Sequence, residues 1–270
     1  PDWVADAMVA YVAKGTDMVF DPGVGKGVFY SSLKKLNRKI RFYGTDIDPV
    51  IIEEARSEGV FDGNCEIEVR DFIFNPPPKL FKAIVANPPY IRHHRLSSEQ
   101  KNQFRKISLM NLGDTLDGRA GIHIFFFIQA LSLLEKGGRL AFIMPADTCE
   151  GVFSKKLWGW ISKKFCIDGV VTFEPAATPF PGVDTNAIIF LVKNEKPKEK
   201  VKWVKCLTPQ NKGLFDFLSM DLSGTSYPGL DIYERDLGEA LSVGFSSAPR
   251  TDNNYEFTLT DFARVVRGIA

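Results

Sequence analysis

The chain has 270 residues and a formal net charge of +1; 44% of its residues are hydrophobic and 25% are charged. This balance is typical of a globular protein, and it excludes the strongly basic class of histone-like nucleic-acid binders. The length fits one large α/β domain, or one domain with a piece of another. No apolar run approaches the roughly 20 residues that a membrane helix needs, so no membrane partner is predicted.

The four cysteines are spread along the chain and form no Cys-x-x-Cys pair. Neither a zinc knuckle nor a redox motif is therefore predicted, and we expect no metal site. Scattered thiols in a chain of this size are typical of a reducing, intracellular setting.

Helical and strand patterns alternate from the start of the chain. Apolar residues recur at helical spacing in 3–12, and Asp48 is predicted to cap a later helix. Ser97 and Gln100 form a capping-box pattern. Further helices are predicted at 28–36, 49–59, 122–134 and 152–165, and strands at 18–20, 40–45, 65–69, 83–86, 140–144, 170–173 and 187–192. This alternation predicts a parallel sheet with helical crossovers.

The pattern changes after Lys193. A lysine and glutamate run leads to one strand-like stretch, 201–207, and residues 208–255 are rich in Gly, Ser, Asp and Asn with weak periodicity. We interpret 1–207 as the main domain and 208–255 as a linker or surface segment. Residues 256–270 are interpreted as the start of another unit.

Four successive predicted strands end in a polar residue, namely Asp21, Asp46, Asp71 and Asn87. In open α/β sheets, ligands bind beyond the carboxyl ends of the strands, near the topological switch point. One such residue alone is weak evidence, because Asp caps many helices. Four together predict a shared ligand site.

The loop after the first strand carries Gly23, Gly25 and Gly27 at alternating positions. Glycines there let the backbone approach a ligand at the start of a helix. The loop is not a Walker motif, because Gly27 stands where Ser or Thr would follow the lysine, and its spacing falls short of G-x-G-x-x-G. A carboxylate ahead of the glycines, Asp21, suits a cationic amine better than a pyrophosphate.

The next two carboxylates extend this interpretation. Asp46 follows Asp21 by 25 residues, at a strand end where a carboxylate can accept both hydroxyls of a ribose. Asp71 ends the third strand and could accept from the exocyclic amine of adenine. An amine, a ribose and an adenine together describe S-adenosylmethionine, the predicted cofactor.

The tripeptide Asn-Pro-Pro occurs twice, beginning at Asn75 and at Asn87. Two prolines in a row exclude both copies from helix interiors and central strands. The first copy continues into Pro78 and is interpreted as a loop between strands. The second closes a wholly apolar strand and continues into Tyr90, which makes it the candidate for chemistry.

Seven stretches resemble, in order, the motifs of the gamma-type, TaqI-like N6-adenine DNA methyltransferases. They are PDWVADAMV, DPGVGKGVF, GTDIDP, RDF, ANPPY, FIQALSLLEKGGRLAFIMP and FPGVDTNAIIF. Together they span residues 1–194, and as a set they are specific. The resemblance implies an α/β, Rossmann-like methyltransferase fold with a mostly parallel seven-stranded sheet and helices on both faces, and it makes 1–207 the catalytic domain.

The resemblance also implies roles for single residues. The implied cofactor-binding residues are Asp21, Gly23, Gly25, Gly27, Phe29, Asp46, Ile47, Asp71, Phe72 and Asn87. Asp21 and the glycine loop would hold the methionine part of S-adenosylmethionine, and Asp46 and Asp71 its ribose and adenine, with Ile47 and Phe72 lining the adenine. Three loop residues differ from those common in the family; because the backbone does the binding there, we expect little loss.

The implied catalytic residues are Asn87, Pro88, Pro89, Tyr90 and Phe180. The N6 amine of adenine is conjugated into the ring and poorly nucleophilic, so acceptors on Asn87 and on a proline carbonyl would draw its hydrogens and free a lone pair for in-line attack. Tyr90 and Phe180 would pack on the flipped base. Neither a metal nor an acid/base pair is required.

The implied partner is double-stranded DNA with a flipped adenine, in a restriction-modification or related defence system. This places the protein in the prokaryotic cytoplasm, at the nucleoid. Residues 262–268 resemble the entry into a C-terminal target-recognition domain. We therefore expect residues 1–270 to bind S-adenosylmethionine but to bind DNA weakly and methylate poorly.

Two alternatives stay open. Protein-glutamine and RNA methyltransferases also use Asn-Pro-Pro-Tyr, although the glutamine enzymes generally carry a leading helical domain and lack a long basic insertion such as 91–120. A non-catalytic, cofactor-binding DNA-associated subunit is the other alternative. His93 and His94 are interpreted as surface or DNA-facing residues, and His123 as a satisfied core or interface residue.

Overall fold

The computed structural model of the chain describes residues 1–36, 39–90, 97–116, 120–150, 153–182 and 186–249. The helices are α1 Asp2–Val12, α2 Val28–Lys35, α3 Pro49–Ser57, α4 Ser98–Leu112, α5 Ile122–Ser132, α6 Ser154–Lys164, α7 Lys212–Ser219 and α8 Leu237–Val243. The strands are β1 Met18–Asp21, β2 Arg41–Asp46, β3 Cys65–Val69, β4 Phe81–Ala86, β5 Leu134–Pro145, β6 Cys166–Phe173, β7 Ala187–Lys193, β8 Lys200–Cys206 and β9 Leu230–Asp236.

Local sequence signals account for several element boundaries. The Asp48 side chain accepts from the backbone N–H of Val50 and caps α3, as predicted. Ser97 and Gln100 form the predicted reciprocal capping box at the start of α4. The end of α5 was predicted two residues too late, because β5 begins at Leu134 and continues to Pro145.

All nine strands form one sheet in the order β3-β2-β1-β4-β5-β7-β6-β8-β9. β7 runs antiparallel to β5 and β6, and β9 runs antiparallel to β8; the other neighbours are parallel. The mostly parallel α/β fold is confirmed. The prediction of seven strands is wrong, because β8 and β9 extend the sheet beyond β6.

The added strands lie in and beside the segment interpreted as a linker or surface segment. Within 208–249, α7 packs against α1, β9 pairs along its whole length with β8, and α8 follows β9 directly. Sequence reading missed β9 because it is an edge strand of mixed polar composition, LDIYERD, whose partner supplies the hydrogen bonds that hold it. Residues 256–270 lie outside the described residues.

Helices cover both faces of the sheet. One core lies under α4, α5, α6 and α8, and the other lies under α1, α2, α3 and α7. The Phe125–Phe127 run packs in the first core, as predicted. The order of the strands reverses between β1 and β4, so the topological switch point falls where β1 and β4 lie side by side.

Candidate active site

The predicted polar residues meet at the carboxyl edge of the sheet. β1 ends at Asp21 and β2 at Asp46, and Asn87 follows the last residue of β4. These strands are neighbours in the order β2-β1-β4. Asp71 lies two residues beyond the end of β3, at the outer side of the same edge. The fold therefore brings together residues that are up to 66 positions apart in the chain.

The glycine loop is held between the ends of β1 and β2. The backbone N–H of Gly25 donates to Asp46 Oδ2 over 2.8 Å, and that of Val24 donates to the carbonyl of Thr45 over 2.9 Å. Gly27 caps the start of α2 with φ +76°, and a Cβ there would lie 2.7 Å from the ring of Phe61. Only glycine satisfies both that conformation and that spacing.

Asp21 is the most unusual charged residue of the site. Its side chain is completely buried, its Oδ1 accepts from the backbone N–H of Gly23 over 3.1 Å, and its Oδ2 is buried without a hydrogen-bond partner. Burial raises the pKa of Asp21 to about 8, and the nearby charge of Asp46 acts in the same direction. A buried carboxylate is costly unless a cation pairs with it. The unpaired oxygen therefore fits a ligand ammonium group.

Two other carboxylates are oriented by backbone hydrogen bonds. Asp46 Oδ1 accepts from the N–H of Asp48 over 3.0 Å, while its Oδ2 holds the glycine loop. Asp71 Oδ1 accepts from the N–H groups of Ile73 and Phe74, each over 3.0 Å. Both side chains are only partly buried, so they remain accessible to a polar ligand.

The apolar residues predicted to line the cofactor differ in accessibility. Ile47 is 66% exposed beside Asp46 and is available to a ligand. Phe72 is buried, and its ring packs against Phe20 and Phe126 in the core. Phe29 is buried under the start of α2. Phe72 and Phe29 are therefore part of the buried core next to the site in this conformation.

The segment Asn87–Tyr90 leaves the sheet directly after β4. Asn87 is exposed, Pro88 is buried and Tyr90 is partly exposed. The Tyr90 hydroxyl points inward, 3.1 Å from Asn87 Oδ1 and 3.4 Å from the carbonyl oxygen of Ile143. Burial raises the pKa of Tyr90, so the hydroxyl stays protonated and acts as a donor.

Two aromatic rings stand edge-on to Tyr90. Phe180 lies 6.2 Å away between ring centroids at an interplanar angle of 89°, and His123 lies 6.0 Å away at 81°. The fold therefore brings Tyr90 and Phe180 together. A small cavity of about 30 Å³ lies between Asn87, Phe180, Phe29 and the start of α1.

His123 was not predicted as a site residue, although its side chain is adjacent to Tyr90. Its Nε2 lies 3.2 Å from Thr148 Oγ1, and its Nδ1 is buried without a hydrogen-bond partner. The interpretation of His123 as a satisfied core or interface residue therefore holds at Nε2 but not at Nδ1. Burial lowers the pKa of His123 to about 4, so the ring is neutral at pH 7. A lone histidine on an apolar helix was the only sequence signal.

The other described parts of the chain show no competing site of this kind. Within the described residues, no three His, Cys, Asp or Glu side chains are grouped to hold a metal ion, and no helix is long and apolar enough to cross a membrane. A larger cavity of about 340 Å³ lies between α1, α2 and α7, but it contains none of the predicted site residues. His93 and His94 lie outside the described residues.

Several known proteins resemble the chain in sequence. The type II methyltransferase M.AccI of Acinetobacter calcoaceticus is 24% identical over 280 residues, which cover 99% of this chain and 50% of that protein. A tRNA1(Val) (adenine(37)-N6)-methyltransferase of Phocaeicola vulgatus is 28% identical over 137 residues, covering 49% and 53%. The chain thus spans about half the length of these relatives.

Solved structures show the same fold at low sequence identity. A type I restriction-modification methyltransferase subunit from Streptococcus thermophilus matches 90% of this chain and 56% of its own, with a TM-score of 0.71 and 15% identity. A class I S-adenosylmethionine-dependent methyltransferase from Listeria monocytogenes matches 83% and 71%, with a TM-score of 0.64 and 15% identity. These likenesses establish the fold as that of S-adenosylmethionine-dependent methyltransferases.

The family of the chain follows from the match of its sequence to a protein-family model. The model of the Eco57I restriction-modification methylases matches residues 41–180, which is 140 of the 270 residues. This match spans β2, the Asn87–Tyr90 segment and Phe180, and it bears out the resemblance to restriction-modification methyltransferases. The chain belongs to the Eco57I restriction-modification methylase family.

Proposed function

We propose that the chain is the catalytic part of a DNA methyltransferase that transfers a methyl group from S-adenosylmethionine to N6 of an adenine flipped out of double-stranded DNA. One observation carries this proposal. The unpaired, buried carboxylate of Asp21 and the Asn87–Tyr90 segment lie at the ends of adjacent strands, β1 and β4. This arrangement would hold an ammonium-bearing methyl donor and a base amine side by side.

Three carboxylates are positioned to hold the cofactor. Asp21 Oδ2 would accept from its ammonium group, Asp46 from its ribose hydroxyls, and Asp71 from its adenine amine. Because backbone N–H groups fix each of these carboxylates, little reorganisation is needed on binding. The cofactor, when bound, supplies an electrophilic methyl group on a sulfonium.

Asn87 and Pro88 would prepare the target amine. The amide oxygen of Asn87 and the backbone carbonyl of Pro88 would each accept one hydrogen of the amine. This draws the hydrogens out of the ring plane and leaves the nitrogen lone pair directed at the methyl group, so that catalysis rests on positioning. Pro88 contributes a rigid carbonyl and no competing N–H.

Tyr90 and Phe180 would hold the extruded base. Extrusion costs a few kcal/mol of lost pairing and stacking. Contact with an aromatic side chain returns about 1–3 kcal/mol per base. The perpendicular arrangement of the two rings would give the base one face contact and one edge contact.

The fold revises the proposed domain limits. α7, β9 and α8 pack on the same sheet as the site, so we propose a catalytic domain that extends to residue 249. The membership of this chain in a restriction-modification family supports a role in a host-modification system. RNA is the second candidate substrate, and the tRNA-modifying relative from Phocaeicola vulgatus favours it.

A methyl-transfer assay on the intact protein tests the proposal. Labelled S-adenosylmethionine would be offered with unmethylated genomic DNA, with total tRNA and with protein, and modified bases would be mapped. We expect label at adenine N6 in DNA at a fixed sequence. Label in tRNA or protein alone would replace the DNA proposal, and no incorporation into any substrate would refute the enzyme assignment.

The repeated tripeptide provides a matched pair of variants. Asn87→Ala removes the proposed acceptor and should lower the methyl-transfer rate at least 100-fold while leaving cofactor binding intact. Asn75→Ala changes the same residue type in the exposed loop before β4 and should keep the wild-type rate. Equal rates for the two variants would remove Asn87 from the mechanism.

A further inference from the structure

The conformation of Tyr90 competes with the role proposed for Asn87. The Tyr90 hydroxyl lies 3.1 Å from Asn87 Oδ1, where a hydrogen of the target amine would have to arrive. Asn87 itself is exposed, and a small cavity of about 30 Å³ lies between it, Phe180 and the start of α1. For the amine to take that position, the hydroxyl of Tyr90 must leave the amide oxygen. The released hydroxyl then needs another acceptor, because a hydroxyl covered by the base and left without a partner is costly.

An unpaired nitrogen lies on the ring that stands edge-on to Tyr90. The imidazole of His123 stands 6.0 Å from the ring of Tyr90 between centroids, and its Nδ1 is buried without a partner among the described residues. Buried polar atoms are nearly always paired in native structures, so an unpaired one indicates a function or an absent partner.

The hydrogen bond at the other ring nitrogen, Nε2, determines whether Nδ1 is an acceptor. His123 Nε2 lies 3.2 Å from Thr148 Oγ1, and Thr148 is buried beside Trp158, whose Nε1–H donates to the Thr148 carbonyl. When Nε2 carries the ring hydrogen and donates to Thr148, Nδ1 is a pure acceptor. A neutral imidazole in this tautomer can accept one hydrogen bond from a hydroxyl.

We propose that His123 is a positioning residue that accepts the Tyr90 hydroxyl at Nδ1 when the target base enters. The exchange frees Asn87 Oδ1 for the amine and fixes the Tyr90 ring against the base. The inference rests on the proposed function, since it needs a base at this site. A single hydrogen bond would thus change the site from one in which Tyr90 occupies Asn87 to one in which Asn87 can accept from the base.

The variants of His123 separate this role from simple packing. His123→Phe keeps a buried ring and removes the acceptor, whereas His123→Asn places an amide oxygen near the position of Nδ1. With the intact protein and a duplex carrying its mapped target, we expect His123→Phe to lower the single-turnover methyl-transfer rate about tenfold. We expect His123→Asn to recover much of that loss, with cofactor affinity unchanged in both.

Tyr90→Phe supplies the second measurement. Tyr90→Phe has no hydroxyl that could move from Asn87 to His123. Adding His123→Phe to Tyr90→Phe should therefore change the methyl-transfer rate by less than twofold. In a duplex with 2-aminopurine at the target position, His123→Phe should also shift the fluorescence of the extruded base relative to wild type. Both readouts depend on the hydroxyl, whereas loss of packing would act in either background.

The outcomes are distinct. An active wild-type protein with an equally active His123→Phe variant would overturn the inference and show that the Ile143 carbonyl is a sufficient acceptor. A tenfold loss that persists in the Tyr90→Phe background would also overturn it, in favour of packing. A wild-type protein inactive on all substrates would instead refute the proposed function, and the inference with it.

Discussion

Replacing Asp21 with asparagine should stabilise the protein without cofactor while weakening its affinity for the cofactor. Asn keeps an oxygen that can accept from the Gly23 N–H, but it has no charge to bury. The pKa of Asp21 is about 8 in the folded chain, against about 3.9 for an unfolded Asp. Between these values the folded state holds the proton more tightly, so the free energy of unfolding falls as pH rises.

The size of this effect follows from proton linkage. Each pH unit between the two pKa values costs about 1.4 kcal/mol, which gives on the order of 4 kcal/mol by pH 7. We therefore expect Asp21→Asn to raise the free energy of unfolding by about 2–4 kcal/mol at pH 7 to 8, and by less at pH 5. Denaturant unfolding without cofactor measures it. A variant less stable than wild type at pH 8 would refute the reasoning.

Cofactor binding should favour the ionised form of Asp21 and so become tighter as pH rises. An ammonium group pairs with ionised Asp21, so below pH 8 binding must release the proton of Asp21. The affinity of the wild type should rise about tenfold per pH unit from 6 to 7, where most of the ammonium stays protonated. Asp21→Asn should lose this slope and bind about 30-fold or more weakly at pH 7.5, because a buried charge pair is broken. Calorimetry in buffers of different ionisation enthalpy counts the released proton.

Asp17 is the matched control for this experiment. It lies just before β1, is exposed, and its pKa is lowered by the hydrogen bond from Arg41. Asp17→Asn should change neither the affinity nor the number of protons released. A wild-type affinity that stays constant from pH 6 to 7, or an Asp21→Asn variant that binds normally, would remove the ammonium contact from the site.

Two further predictions concern stability. Gly27→Ala should lower the free energy of unfolding by about 1–3 kcal/mol, because φ +76° is strained for any other residue and a Cβ would overlap the Phe61 ring. An unchanged midpoint of denaturant unfolding would contradict the left-handed conformation of Gly27. Arg235→Ala should lower the free energy of unfolding by about 1–3 kcal/mol. This 2%-exposed side chain pairs with the partly buried Glu239 and donates to the carbonyls of Gly244 and Ser247, which the variant leaves without their donor. If the chain around β9 were a linker, Arg235→Ala would leave the unfolding transition unchanged.

Much of the fold followed from local patterns. The alternation of buried strands with helices, the cap at Asp48 and the capping box at Ser97 depend on residues within four positions of one another, so the sequence states them directly. The strand β9 depends instead on pairing with β8, about 30 residues earlier. Its polar composition is typical of an edge strand, and its sequence has no sustained periodic pattern that would predict a strand.

Within the candidate site, too, some features follow from local motifs and others from contacts between distant elements. The sequence by itself determined the glycine loop, the carboxylates at the strand ends and the candidate tetrapeptide, because each is a short motif attached to a strand. Only the tertiary structure decided that Oδ2 of Asp21 is unpaired, that Phe72 lies in the core and that His123 stands against Tyr90. Those properties arise from contacts between elements far apart in the chain, and burial and pairing of single atoms are set by packing that no local pattern encodes.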